Sequence, residues 1–126
     1  MALLFTGLES IGLLILRIAL FFIFIYHGSQ KLFGKQTPRG FRFLGFVEFV
    51  SAIAVLLGFW TEIAGIIFAI VMLGAIYLKI TKWKVSFASQ KTTGWEFDML
   101  IFASALTLAF LGAGSISLDT MFGFWP

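Results

Sequence analysis

Four long apolar stretches constrain the fold more than any other feature of the sequence. They run over residues 8–26, 43–60, 63–79 and 98–117. A transmembrane helix needs about 20 mostly apolar residues, with a range of about 17–25. Because a backbone in lipid must satisfy its own hydrogen-bonding groups, each stretch is predicted to be a helix. The predicted fold is therefore all-α: a polytopic membrane protein, an antiparallel bundle of four transmembrane helices forming one domain over residues 1–126.

The composition supports a membrane protein and excludes several kinds of chemistry. Hydrophobic residues make up 60% of the chain and charged residues 12%, too few polar groups to cover a soluble domain. The chain contains no cysteine, so thiol chemistry and cysteine-ligated clusters within it are excluded. We find no metal-ligand spacing, phosphate-binding glycine loop or nucleophile–base pair, so the sequence predicts no metal site and no catalytic residue.

The basic residues indicate how the chain crosses the membrane. The loops after the first and third stretches hold eight of them: Lys31, Lys35, Arg39, Arg42, Lys79, Lys82, Lys84 and Lys91. The other side of the predicted bundle holds only acidic residues: Glu9, Glu62 and Asp119. The positive-inside rule then predicts that both termini lie outside and the basic loops in the cytoplasm. The expected location is a prokaryotic plasma membrane. Anionic lipid headgroups are the expected partners of this basic side, with Lys79, Lys82 and Lys84 as a solvated or headgroup-bound face. No nucleic-acid-binding motif is present.

The start of the chain is expected to be a membrane helix and not a cleaved signal peptide. The first stretch lacks a basic leader and a small-residue cleavage site, and Arg17 interrupts its apolar run. These features do not fit a secretory signal.

Two ionisable residues stand out because they lie well inside the apolar stretches and not at their ends. Burying a charge in lipid is costly, so a functional role is the default hypothesis for both. They are Arg17 in the first stretch and Glu48 in the second. Small residues three or four positions from Glu48, at Gly45, Ser51 and Ala52, predict that it faces packed helices. An Arg17–Glu48 ion pair that fixes helix register is one hypothesis, although the two side chains lean toward opposite ends of the bundle. A role in handling a ligand or a proton is the other.

Further candidates lie near the basic side. His27, the single histidine, stands where the first stretch ends, and it is either an interfacial residue or a ligand-binding or proton-handling one. Glu96 and Asp98 open the fourth stretch, where carboxylates also suit a helix N-terminus. The two project about 200° apart around a helix. Glu96 shares a face with Ala103 and Thr107, so Glu96 is favoured for the interior.

Three segments carry a resemblance to a known family. They read "LLILRIALFFIFIYHGSQKLFG" at 13–34, "GFVEFVSAIAVLLGFWTEIAGIIFAIVMLGAI" at 45–76 and "GWEFDMLIFASALTLAFLGAGSISLD" at 94–119. Taken in this order, they resemble the DoxX family of small four-span membrane proteins. Carried over by position, the family's signature falls on Arg17, His27, Gly28, Lys31, Gly34, Glu48, Gly94, Glu96 and Asp119.

The resemblance implies a membrane subunit of a redox complex, because some members resemble subunits of quinone-reducing complexes. It makes a quinone the candidate ligand and a soluble redox protein the candidate partner. Arg17, His27, Glu48 and Glu96 are then the candidates for ligand binding or proton handling. Without a self-contained catalytic motif, the chain is expected to be at most a subunit of a quinone-linked oxidoreductase.

Two other functions stay open on the sequence alone. One is a non-catalytic membrane scaffold that docks a partner, in which the intramembrane charges are purely structural. The other, ranked behind it, is a small-molecule or proton transporter. Four spans are few for alternating access, so a transporter would need to form a homo-oligomer.

Overall fold

The computed structural model describes residues 8–35 and 37–123, which form helices and connecting loops with no β-strand among them. The helices are α1 (Leu8–Phe33), α2 (Arg39–Leu57), α3 (Thr61–Thr81), α4 (Trp95–Leu111) and the short α5 (Leu118–Met121). Helices α1, α2 and α3 are long and apolar enough to cross a membrane, and α4 is shorter, with 17 residues. The predicted all-α membrane fold is confirmed. The limits of the domain and of each span stay a prediction.

The helices pack as two antiparallel hairpins, α1 with α2 and α3 with α4. A Cβ atom added to Gly28 of α1 would lie 2.9 Å from the backbone nitrogen of Phe49 in α2. A Cβ atom added to Gly65 of α3 would lie 2.8 Å from the carbonyl oxygen of Ala105 in α4. Small residues at such positions let helix backbones approach closely, which is how helices associate in lipid.

A shared core joins the two hairpins. The rings of Phe24 in α1 and Phe68 in α3 stack with their centroids 3.7 Å apart, and both side chains are buried. Ala52 of α2 and Leu108 of α4 are buried in the same cluster. The core therefore contains side chains from all four long helices.

The two ends of the structure differ in chemistry. We call the end where α1 and α3 finish the basic end (residues 27–42 and 79–98). The opposite end, where α2 turns into α3, is called the turn end (residues 55–61 and 113–119). The end that each ionisable side chain reaches determines its hydrogen-bonding and ion-pair partners.

Arg17 binds the turn end from inside the structure. Its side chain is buried, with 1% exposure, and it donates four hydrogen bonds to carbonyl oxygens of Val55, Leu56, Ala113 and Ile116 at 2.7–3.1 Å. The acceptors in α2 belong to its last turn, where carbonyls lack an intrahelical donor and carry the negative end of the helix dipole. Backbone oxygens therefore satisfy the buried guanidinium.

The predicted Arg17–Glu48 ion pair is wrong. Side chains lean toward the N-terminus of their own helix, and α1 and α2 are antiparallel, so the two side chains point to opposite ends. Arg17 reaches the turn end, while Glu48 reaches the basic end and forms an ion pair with Lys31.

Asp119 attaches the C-terminal segment to the same turn end. Its carboxylate accepts hydrogen bonds from the backbone nitrogens of Trp60, at 2.6 Å, and Thr61, at 3.0 Å. These donors open α3, where backbone N–H groups have no intrahelical acceptor. The Asp119 amide in turn donates to the carbonyl of Gly58, 2.8 Å away. Asp119 therefore fixes the α2–α3 turn against α5.

Helix α4 ends earlier than the fourth apolar stretch. Gly112 and Gly114 adopt φ values of 77° and 84°, a region that favours glycine and that an α-helix does not use. Residues 112–117 therefore form a loop, and this loop supplies the carbonyls of Ala113 and Ile116 to Arg17.

We expect Arg17→Met to lower the free energy of unfolding by about 3 kcal/mol or more, because buried carbonyls would lose a charged donor. Thermal unfolding in a mild detergent measures this loss. Arg39→Met is the matched control, since Arg39 is exposed at the start of α2, and it should change stability by less than about 0.5 kcal/mol. Equal losses in the two variants would contradict the structural role of Arg17.

Candidate functional site

A cavity of about 490 Å³ lies at the basic end, lined by side chains from all four long helices. Most of its wall is apolar and includes Phe24, Met72 and Ile101. Protein cavities that hold small molecules are commonly about 300–1,000 Å³, mostly apolar, with a few polar groups that orient the ligand. This cavity has both the size and the apolar wall of such a site.

Five ionisable residues line the cavity: His27 and Lys31 from α1, Glu48 from α2, Lys79 from α3 and Asp98 from α4. Lys31 Nζ lies 2.8 Å from Glu48 Oε1, and Lys79 Nζ lies 2.7 Å from Asp98 Oδ2. Each ion pair therefore joins the two helices of one hairpin.

The two ion pairs share one pattern of burial. Glu48 and Asp98 are buried, with 1% and 4% exposure, while the side chains of Lys31 and Lys79 keep 30% and 17%. Long lysine side chains can place an apolar stem in the protein and still bring the ammonium toward water. The carboxylates are the inner members of each pair, and the pairing makes their burial tolerable.

One buried carboxylate oxygen of the site has neither a hydrogen-bond donor nor an ion-pair partner among the described residues. Glu48 Oε1 accepts from Lys31, but Glu48 Oε2 is buried without a hydrogen-bond partner among the described residues. A buried charged acceptor left in this state costs about 1–3 kcal/mol or more. Glu48 is therefore a residue to which a ligand with an O–H or N–H donor would be attracted.

His27 stands close to both ion pairs. Its imidazole lies near enough to Lys31, Glu48, Lys79 and Asp98 to interact electrostatically with each of them. It lies one helical turn before Lys31 on α1, and its ring makes an edge-to-face contact with Tyr26. A histidine in this position can exchange a proton with a ligand or with a neighbouring carboxylate.

The DoxX family model matches residues 12–83, which is more than half of the chain and includes every ionisable residue of the cavity except Asp98. The chain belongs to the DoxX family. A protein of Bacillus subtilis (strain 168) named "Putative oxidoreductase CatD" is 31% identical over 121 residues, covering 87% of this chain and 86% of that protein. No solved structure matches the chain. Membership of a membrane family, together with the three long apolar helices, makes this an integral membrane protein.

The carboxylate that α4 contributes to this DoxX protein's cavity is Asp98 and not Glu96. Asp98 is buried and Glu96 is exposed, so the expectation that Glu96 faces the interior is wrong. The buried face of α4 contains Asp98, Ile101, Ala105 and Leu108, at the three- and four-residue spacing of a helix. That spacing of apolar residues is present in the sequence, and following it from Ile101 back to position 98 would have predicted Asp98 in place of Glu96.

Lys79 is the other cavity residue that the sequence analysis missed. It was interpreted as part of a solvated or headgroup-bound face, but it pairs with Asp98 and also donates to the carbonyl of Thr93 at 3.1 Å. Lys82 and Lys84, assigned to the same face, are exposed. The partner of Lys79 lies on another helix. The direction in which the Lys79 side chain points therefore depends on how α3 packs against α4, which the sequence alone does not specify.

The remaining signature residues of the DoxX chain have positions that fit structural roles. Gly28 lies at the contact between α1 and α2, beside the Lys31–Glu48 pair. Gly94 precedes α4 as its N-cap, and the carbonyl of Gly34 accepts from Arg42 Nη2 at 2.8 Å. Asp119 and Arg17 lie at the turn end, away from the cavity.

Gly28→Ala should destabilise the protein by about 1–3 kcal/mol, because the added methyl group would force α1 away from α2 beside the Lys31–Glu48 pair. Gly12→Ala is the matched control on the same helix, since an added Cβ atom meets nothing within 4 Å there. That variant should be stabilised by up to about 1 kcal/mol, as expected for alanine replacing glycine in a helix. Thermal unfolding of both variants in one detergent makes the comparison. A stable Gly28→Ala protein would contradict the close packing of α1 on α2.

Proposed function

We propose that this DoxX protein is the membrane subunit of a redox complex and that its cavity holds the headgroup of a quinone. The observation that carries the proposal is the cavity itself, an apolar space whose polar groups are two ion pairs and a histidine. A quinone headgroup combines an apolar ring with oxygens that accept hydrogen bonds and, on reduction, take up protons. The apolar quinone ring suits the apolar wall of the cavity, and the quinone oxygens suit its polar groups. Both matches support the assignment.

The polar groups of the cavity fit the needs of such a headgroup. Among the described residues, Lys31 has one hydrogen bond, to Glu48, while an ammonium has three N–H donors. Lys31 therefore has donors to spare for a ligand oxygen. Glu48 Oε2 offers an acceptor for the O–H of a reduced headgroup, and His27 can hold or pass on a proton. A bound quinone supplies the two-electron chemistry, and these residues bind it, orient it and exchange protons with it.

The shape of the cavity suits a ligand that arrives from the lipid. Three of its lining side chains, Phe41, Ile70 and Trp83, are also exposed at the protein surface. The cavity therefore reaches the surface between the start of α2 and the second half of α3. These segments belong to helices that are long and apolar enough to cross a membrane, so a lipid-soluble molecule can enter without passing through water.

The electrons are proposed to come from a soluble redox protein that docks on the basic end. We place this end in the cytoplasm and both termini outside a prokaryotic plasma membrane, because the positive-inside rule assigns basic loops to that side. Exposed basic residues are available there for a partner or for anionic lipid headgroups: Lys35, Arg39, Lys82, Lys84 and Lys91. A redox role is also supported by the relative from Bacillus subtilis, whose name includes oxidoreductase.

Calorimetric titration of the purified protein with decylubiquinone in a mild detergent should show saturable binding. Gly74→Leu should weaken that binding by at least about tenfold, since Gly74 lines the cavity and has open space around its Cα. Gly12→Leu is the matched control: Gly12 also has open space around it but lies outside this cavity, so binding should be unchanged.

The same variants extend the test to cells. A strain that lacks the protein should lose part of its quinone-linked respiration, and native protein and Gly12→Leu should restore it while Gly74→Leu should not. If the native protein binds no quinone and its deletion leaves respiration unchanged, the non-catalytic scaffold becomes the better account.

A further inference from the structure

The charged groups of the cavity neutralise one another. Each lysine of the cavity lies within 2.8 Å of a buried carboxylate, Lys31 with Glu48 and Lys79 with Asp98. With the His27 imidazole neutral, the charges that line the cavity sum to zero. The exposed rim of the basic end is different, because its exposed charged residues, apart from Glu96, are all lysine or arginine: Lys35, Arg39, Arg42, Lys82, Lys84 and Lys91.

We infer that the cavity is selective for an uncharged ligand, and that Glu48 and Asp98 are the residues that exclude anions from it. This inference rests on the proposed quinone site and specifies its ligand further. It concerns the charge of the ligand, which is zero both for a quinone and for its fully protonated, two-electron-reduced form.

The physical reason is the cost of moving a charge out of water. An anion that entered the cavity would lose its hydration and find each ammonium already paired with a carboxylate. Its attraction to a lysine would be offset by repulsion from the carboxylate beside that lysine. A neutral ring with polar oxygens pays no such charge penalty and can still accept hydrogen bonds from the spare N–H groups of Lys31.

Selectivity for an uncharged ligand matters because anionic molecules gather next to the cavity. The cavity opens to the surface near the basic end, and a basic rim attracts anionic lipids and fatty-acid anions. Without Glu48 and Asp98, the same positive potential would extend into the cavity and favour these anions over a neutral ligand. The buried carboxylates therefore allow a basic surface and a neutral binding site to lie next to each other.

Two probes with the same ring test this inference: naphthoquinone, which is neutral, and its ring sulfonate, which is an anion. Affinities are measured by equilibrium dialysis in a nonionic detergent, which adds no charge of its own. The native protein should bind naphthoquinone at least about tenfold more tightly than the sulfonate. Glu48→Gln leaves the Lys31 ammonium without its counter-charge, so the affinity for the sulfonate should rise at least about tenfold. The result is evaluated as the ratio of the two affinities, which should shift toward the sulfonate by at least about tenfold relative to the native protein.

Asp98→Asn removes the counter-charge of Lys79 in the same way. It provides the test if the Glu48→Gln protein does not fold. Glu96→Gln is the matched control, because it removes one negative charge from the start of α4 at an exposed position, and it should change neither affinity.

Native protein that binds both probes equally, or carboxylate variants that gain no affinity for the sulfonate, would overturn the inference and leave the quinone site in place. Native protein that does not bind naphthoquinone would instead overturn the proposed function.

Discussion

The hydrogen bonds of the buried Arg17 guanidinium are the interaction on which the rest of the structure depends. They join α1 to the last turn of α2 and to the loop that follows α4, and Asp119 adds the start of α3 to the same end. These contacts use backbone groups at helix ends and in a loop, where the regular hydrogen bonding of a helix stops. The turn end is therefore held together without the charged residues of the basic end, which line the cavity.

The buried charges at the two ends of the structure are compensated by different groups. At the turn end a cation is surrounded by backbone oxygens, which accept four of its five N–H donors and suit a structural role. At the basic end each cation has one carboxylate, and Lys31 and Glu48 retain unused hydrogen-bonding positions. The two intramembrane charges that stand out in the sequence therefore have different roles: Arg17 stabilises the fold, and Glu48 belongs to the candidate site.

Much of this arrangement could be predicted from the sequence, and the remainder depends on how the helices rotate against one another. Hydropathy predicted the apolar helices, and the cost of charge in lipid drew attention to Arg17 and Glu48. Neither principle specifies a partner. The direction in which side chains lean along their own helix already argues against an Arg17–Glu48 pair in the sequence, but the pairing of Glu48 with Lys31 depends on how α1 packs against α2. The choice of Asp98 over Glu96 depends on the rotation of α4, set by its packing face. The early end of α4 depends on two glycines inside an apolar run.

Native mass spectrometry of the protein, extracted from its own membranes in a mild detergent, tests the central claim most directly. The account predicts that the native protein retains an adduct with the mass of a membrane quinone. It also predicts that the adduct is lost in Gly74→Leu, where the new side chain occupies the cavity, and is kept in Gly12→Leu. A native protein that carries no quinone, or an adduct that survives equally in both variants, would contradict the assignment of this cavity as a quinone site.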